Sequence, residues 1–210
     1  MERLKLGVLL SGGGTNLQAV LDRIAEGSLW AEVVFIGSNK KEARGLNRAA
    51  GRGIPTAVFE RKDFAATEDR DKALLNALKA HNVELVVLAG YLGQIPRFMI
   101  EAYPHKIINI HPSLLPCFGG KGYYGEKVHQ GVYDRGMKVS GATVHLVSEE
   151  TDGGPIILQE AVAIDFEDRV SDIQQKVLTI EHRILPKAIQ LIAEGRVAVI
   201  DNRVKIKQQS

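Results

Sequence analysis

Apolar and polar positions along this chain follow two periods, and the places where one gives way to the other mark out its elements. Leu4 to Leu10 is apolar apart from Lys5 and Gly7, the pattern of a strand buried on both faces. Ser11-Gly12-Gly13-Gly14-Thr15-Asn16 breaks that run, and Leu17, Val20, Leu21 and Ile24 then carry helical spacing to Gly27. The alternation continues with a strand over Glu32 to Ile36, a helical pattern over Lys41 to Gly51, a short strand over Pro55 to Phe59 and a helix over Thr67 to His81 with Leu74, Leu75 and Leu78 facing inward. Glu84 to Ala89 reads as a buried strand, Gly90 to Ile95 as the turn leaving it, and Pro96 to Tyr103 as a short helix. Lys106-Ile107-Ile108 is the end of another strand, which brings Asn109 and His111 to its C-terminal end. Strands separated by helices at these loop lengths predict parallel units with right-handed crossovers.

After Pro116 the pattern changes. Cys117 to Gly125 has glycine at 119, 120, 122 and 125, too many for a helix or a strand interior, and predicts a mobile loop. A helix over Glu126 to Tyr133 follows, then strands over Lys138 to Val147 and Ile156 to Ile164, expected to pair antiparallel. A long amphipathic helix over Val170 to Ala193, interrupted at Pro186, and a terminal hairpin over Arg196 to Ile206 complete the chain. The expected fold is therefore α/β: a single domain over 1-210 built on a mostly parallel, doubly wound sheet, with an antiparallel C-terminal part. Its N-terminal half, about 1-105, carries the glycine turn, and its C-terminal half, about 106-210, carries the Asn109 segment. The turns at Gly14, Gly90 and Asn109 are expected to open on one edge of that sheet, where ligands of open α/β sheets collect.

Composition narrows the function classes. With 45% hydrophobic and 25% charged residues, the 210-residue chain is an ordinary globular one. A formal net charge of +2, with charges interspersed, gives no footprint for nucleic acid. The single Cys117 cannot form an internal disulfide, and no apolar run approaches a membrane span or a signal peptide, which predicts a cytoplasmic protein. Either a monomer or a homodimer is compatible with this reading.

The candidate chemistry lies in three places. A strand, a glycine turn and a helix N-terminus make an anion site, because glycines admit close backbone approach and unpaired N–H groups point outward. Thr15 or Asn16 could cap that helix or bond a phosphate oxygen. The turn is not a P-loop, since no Gly-Lys-Ser/Thr follows, and Leu17 stands where a dinucleotide fingerprint needs its third glycine. No nucleotide cofactor is expected.

Asn109 and His111 are two residues apart, which in extended backbone sends both side chains to one face, and Pro112 and Pro116 stiffen the backbone beyond them. Asp152 precedes Gly153 and Gly154, a turn-forming position. Ser113 and Cys117 lack a base at any defensible spacing, and His111, His129 and His145 lack metal-ligand spacing, so no metal is expected. An amide beside an imidazole suits an oxyanion developing on a carbonyl, and a nearby carboxylate would raise the imidazole's pKa and keep it a proton donor. These groups predict direct acyl transfer to an amine.

Ser11-Gly-Gly-Gly-Thr-Asn16, Asn109-Ile-His-Pro-Ser-Leu-Leu-Pro116, Thr143-Val-His145, Asp152-Gly-Gly-Pro-Ile156 and Glu181-His182 together resemble the phosphoribosylglycinamide formyltransferases of purine synthesis, over nearly the whole chain and in order. The resemblance implies a formyltransferase-like Rossmann variant, with 10-formyltetrahydrofolate as co-substrate and 5-phosphoribosylglycinamide as acceptor. It implies Asn109, His111 and Asp152 as catalytic groups, Gly14, Thr15 and Asn16 at the substrate phosphate and Glu181 at its ribose and glycinamide part. Thr67, Leu92, Gly93, Gln94 and Ile95, with Asn109, would face the folate. The chain departs from many members in having Gly93 and Thr67 where arginine is common, and its Gly119 to Gly125 loop is longer, so that Lys121 could supply charge by another route. Relatives with the same three polar residues act on other substrates: a methionyl-tRNA formyltransferase is expected to carry a second, basic C-terminal domain, and a formyltetrahydrofolate deformylase an N-terminal regulatory one. A silent phosphosugar-binding module is the reading from outside enzymology, and retention of all three residues argues against it.

Overall fold

The computed structural model describes residues 2–208. Its strands are β1 Leu4–Leu10, β2 Ala31–Ser38, β3 Thr56–Val58, β4 Leu85–Leu88, β5 Ile107–His111, β6 Val139–Leu146, β7 Ile156–Ala163, β8 Val197–Ile200 and β9 Arg203–Ile206. Its helices are α1 Thr15–Ala25, α2 Thr67–Ala80, α3 Arg97–Ala102, α4 Glu126–Asp134 and α5 Val170–Ala193. Seven strands form one sheet in the order β3-β2-β1-β4-β5-β6-β7, and β8 and β9 form a separate two-stranded sheet. The pairs β1–β2, β1–β4 and β2–β3 are parallel, whereas β6–β7 and β8–β9 are antiparallel. The α/β class, the mostly parallel sheet and the antiparallel C-terminal strands are as expected.

Two compact units divide after Ile108. In the first, β1 is central, with Leu6, Val8, Leu9 and Leu10 fully buried. Burying a side chain of that size stabilises by about 2 kcal/mol, so this strand anchors its unit. α1 turns Leu17 and Val20 inward and α2 turns Leu74, Leu75 and Leu78 inward, which is the stripe that their spacing predicts. His81, just past α2, stacks on Phe35 of β2 with 4.9 Å between ring centroids.

The second unit holds β6, β7, α4 and α5. Along α5, Ile173, Val177, Ile180, Ile184, Leu185, Ala188 and Ile189 are buried at helical spacing. The β8–β9 hairpin falls where a terminal hairpin is expected.

Three local expectations are corrected. Lys41 to Gly51 does not form an α-helix but a 3-10 segment, Arg44–Ala49. Gly45 lies inside it with its N–H bonded to the Gly12 carbonyl at 2.9 Å, so a tertiary contact with the glycine turn overrides the helical pattern. Pro186 does not interrupt α5, which runs 24 residues through it. The lost donor is a local cost, and the buried residues on either side of Pro186 keep the helix in place. Neither Thr15 nor Asn16 caps α1: Gly14 occupies the cap position without a side-chain bond, and both residues lie in the first turn.

Candidate functional site

Asn109 and His111 lie in the last three positions of β5, so their backbone belongs to a strand and their side chains share one face. Asp152 comes from the turn between β6 and β7, where its φ of +57° is the left-handed conformation that aspartate tolerates better than most residues. The turn-forming reading of Asp152 therefore holds.

His111 Nδ1 is 3.7 Å from Asp152 Oδ2, and His145 Nε2 is 3.6 Å from Asp152 Oδ1. Asn109 Nδ2 is 3.1 Å from His145 Nε2 and 3.5 Å from Asp152 Oδ1. The second unit thus gathers Asn109, His111, His145 and Asp152 within hydrogen-bonding or ion-pairing reach.

Backbone groups assign the tautomers. His145 Nδ1 stands 3.0 Å from the Leu146 carbonyl and must donate to it, which leaves Nε2 to accept from the Asn109 amide. His111 Nε2 stands 2.8 Å from the Phe118 carbonyl and donates there, so its Nδ1 faces the Asp152 carboxylate. The Gly120 N–H donates to Asp152 Oδ2 at 2.9 Å. The glycine-rich segment after Cys117 therefore contributes two backbone groups to the site.

Electrostatics correct one expectation. Burial is the largest influence on His111 and pushes its pKa down; Asp152 and the Phe118 carbonyl pull it up, His145 adds a smaller downward push, and the result lies below the ordinary imidazole value. Desolvation thus outweighs the carboxylate, and the resting imidazole is neutral rather than held protonated. For Asp152, burial works upward, but the neighbouring His145 and His111 imidazoles and the Gly120 N–H together hold it below the usual carboxylate range, so it is ionised at neutral pH.

Under this pair runs a buried polar network. Thr143 Oγ1 donates to the Ser113 carbonyl at 2.6 Å and accepts from the Leu115 N–H at 3.1 Å and from Gln159 Nε2 at 2.9 Å. Ser113 Oγ donates to the Cys117 carbonyl at 2.6 Å, which is a structural task and not that of a nucleophile. Cys117 itself is exposed. Among the described residues, no group of three or more His, Cys, Asp or Glu side chains is arranged to hold a metal ion.

In the first unit the glycine turn and the Gly90 turn meet. The Ser11 N–H donates to the Gly90 carbonyl at 3.0 Å, and Ser11 Oγ accepts from the Leu92 N–H at 2.8 Å and donates to Asn39 at 2.6 Å. Gly14 has a φ of +67°, and a β-carbon there would lie 2.7 Å from the Gly45 α-carbon, so both conformation and space call for glycine. Arg48 braces the turn, donating from Nε to the Gly13 carbonyl at 2.9 Å and from a terminal nitrogen to Gln18 at 3.0 Å.

Thr67 opens α2, and its hydroxyl accepts from Arg61 Nε at 2.9 Å. A guanidinium thus stands beside Thr67, supplied from six residues earlier. At Gly93 a β-carbon would fall 2.6 Å from the Tyr91 ring, which accounts for the absence of a side chain there. Leu92 is half exposed, and Glu181 is buried on α5.

Ser11 and His145 stand in the motifs that carry the resemblance but receive no chemical task from the sequence, and Arg48 is not singled out there at all. For His145 the signal is its two-residue spacing from the buried Thr143, a shared strand face that brings it toward Asn109. Arg48 carries no local signal, because its contact depends on the tertiary approach of the 3-10 segment.

Comparison with known proteins agrees with this geometry. Residues 4–189 match the family described as Formyl transferase. The chain is 40% identical over 198 residues to the phosphoribosylglycinamide formyltransferase of Haemophilus influenzae, covering 94% of this chain and 91% of that one. It is 40% identical to the trifunctional purine biosynthetic protein adenosine-3 of Gallus gallus, but spans 19% of that protein's length. Among solved structures, glycinamide ribonucleotide transformylase 1 from Symbiobacterium toebii superposes with a TM-score of 0.92 at 42% identity, covering 98% of this chain and 95% of that one. A formyltetrahydrofolate deformylase from Pseudomonas syringae gives 0.89 at 27% identity, covering 99% of this chain and 67% of that one. With its matched span, its sheet order and its Asn109-to-Asp152 constellation, the chain belongs to the formyl transferase family.

Proposed function

We propose that this enzyme transfers a formyl group from 10-formyltetrahydrofolate to the amine of 5-phosphoribosylglycinamide. The observation that carries the reading is the convergence of the Asn109 amide, the His111 imidazole and the Asp152 carboxylate, with distances of 3.5 to 3.7 Å from the acid to its two neighbours. The names of the Haemophilus influenzae and Symbiobacterium toebii relatives support the substrate assignment.

The amine nitrogen attacks the formyl carbon, and the carbonyl oxygen gains negative charge. Asn109 Nδ2 can offer it a hydrogen, since its 3.5 Å contact to Asp152 is long and readily exchanged. The new nitrogen–carbon bond leaves the attacking nitrogen with a surplus proton. Neutral His111 accepts that proton at Nδ1, directly or through one water, and ionised Asp152 stabilises the resulting imidazolium. His111 then returns the proton to N10 of the folate as the N10–carbon bond breaks. One carbon–nitrogen bond forms, one breaks, and one proton is relayed. A neutral resting imidazole suits this relay, because it must first act as a base.

The substrate phosphate is assigned to the Gly14, Thr15 and Asn16 turn at the head of α1, supported by its glycine backbone and the macrodipole. Glu181 is assigned to the ribose and glycinamide part, and Thr67 and Leu92 to Ile95 to the folate, with Arg61 beside Thr67 as a source of charge for an anionic tail. No nucleotide or metal takes part in this scheme, and the chain acts as a monomer or homodimer in the cytoplasm. Among the described residues, no helix is long and apolar enough to cross a membrane.

The test is release of tetrahydrofolate from 10-formyltetrahydrofolate with and without 5-phosphoribosylglycinamide. Release that depends on the amine, with formylated product, is expected. The likeness to the Pseudomonas syringae deformylase favours a second reading, in which water takes the place of the amine. Equal release without amine would establish that reading instead.

A further inference from the structure

Phe118 has a φ of +52°, in the left-handed region. For a bulky aromatic residue that conformation is an outlier, and it persists only where the surroundings hold it. Three contacts grip the ring. Tyr123 meets it edge-on, with 5.4 Å between centroids. The Arg135 guanidinium carbon lies 5.1 Å from its centroid. Gly131 of α4 leaves room for it, since a β-carbon at 131 would fall 2.9 Å from two ring carbons. Arg135 also donates to the Gly131 carbonyl at 3.4 Å, which ties the cation to the same helix turn. At the opposite end of the residue, the carbonyl oxygen accepts from His111 Nε2 at 2.8 Å.

We infer that Phe118 is a positioning residue for His111. α4 and Arg135 hold the ring, the left-handed backbone turns the carbonyl toward the imidazole, and that bond keeps a proton on Nε2 and presents Nδ1 to Asp152. A partner at one imidazole nitrogen decides which nitrogen is left for chemistry. Without the anchor, the carbonyl has no reason to stay in an unfavourable conformation, and the imidazole loses the bond that selects its tautomer. The functional part of this inference rests on the reading of His111 as the proton carrier.

The test uses the full chain with Phe118→Gly, Phe118→Tyr and Gly131→Ala, and reads the side-chain nitrogen resonances of His111 without substrate as well as kcat and both KM values. Phe118→Gly keeps the carbonyl and accepts the left-handed backbone but removes the ring. It should lose the protonated Nε2 signal in favour of averaged tautomers, and lower kcat by about tenfold or more, a part of what general acid–base catalysis contributes, with KM values little changed. Gly131→Ala, which pushes the ring, should shift both readouts in the same direction, and it carries the test should the glycine variant fail to fold. Phe118→Tyr, which keeps the ring, should resemble the parent. Unchanged His111 resonances in Phe118→Gly and Gly131→Ala would overturn the inference, whatever happens to kcat. If His111→Ala retained full turnover, the proton-carrier reading would fall, while the resonances would still decide whether Phe118 sets the tautomer.

Discussion

Asn109 Nδ2 and His145 Nε2 stand 3.1 Å apart, and because His145 Nδ1 is committed to the Leu146 carbonyl, the amide must be the donor. A backbone oxygen on β6 thereby sets the orientation of a side chain on β5. The amide's second hydrogen is left toward Asp152, where the developing charge of a formyl oxygen would need it.

Removing that orienting partner should be felt in the chemistry. His145→Ala is expected to lower kcat by on the order of tenfold, corresponding to about 1 to 2 kcal/mol for one buried hydrogen bond, while KM for the glycinamide substrate changes little. Steady-state kinetics check this, and an unaltered kcat would show that Asn109 is held by other means.

In the proposed relay, Asp152→Asn would remove the charge that stabilises the imidazolium while keeping the shape. We expect turnover to fall by roughly 10² to 10⁴-fold, the range of general acid–base catalysis, with substrate dissociation constants within a few-fold of the parent. Calorimetric titration beside kinetics separates the two, and retained turnover would remove Asp152 from the relay.

Gly14→Val should act on the phosphorylated substrate. Its left-handed backbone and the 2.7 Å approach of Gly45 oppose a side chain, so the turn must deform. KM for 5-phosphoribosylglycinamide should rise tenfold or more, about 1.4 kcal/mol or above, and KM for the folate should rise less. An equal rise in both would count against the phosphate assignment.

His129 predicts a pH dependence of stability. It is buried on α4, and burial first and the charge of His111 second push its pKa down to about 4. The unfolded chain, with an imidazole near 6.5, binds the proton more readily than the folded one between these values. Stability contributed by neutral His129 is therefore present above about pH 6.5, declines as pH falls toward about 4, and levels off below. Denaturant titrations across that window should show a decline of on the order of 2 kcal/mol that is reduced in His129→Gln.

How far the primary structure reveals all this depends on whether a signal is local. α2 and α5 are legible because their leucine and isoleucine stripes repeat at helical spacing, and β6 and β7 because each is a strand-like run bounded by turn residues. Asn109, His111 and Asp152 are legible as candidates from strand-end placement and turn chemistry, and the family resemblance supplies their roles. The features that escape are tertiary. The 3-10 segment at Arg44 takes its shape from the glycine turn it packs on, and His145 matters through a neighbour 36 residues away. The charge state of His111 escapes for the same reason, since residue types announce the nearby acid but not the depth of burial that outweighs it.

Asn109 and His111 hang from a sheet strand, whereas Asp152 comes from a turn. Strand backbone of this kind exchanges its amide hydrogens only through large-scale opening, so two of the three groups proposed to carry the reaction share the fate of the fold itself. Heat should therefore extinguish formyl transfer and melt the molecule together, without an earlier phase in which an intact body has already lost its chemistry.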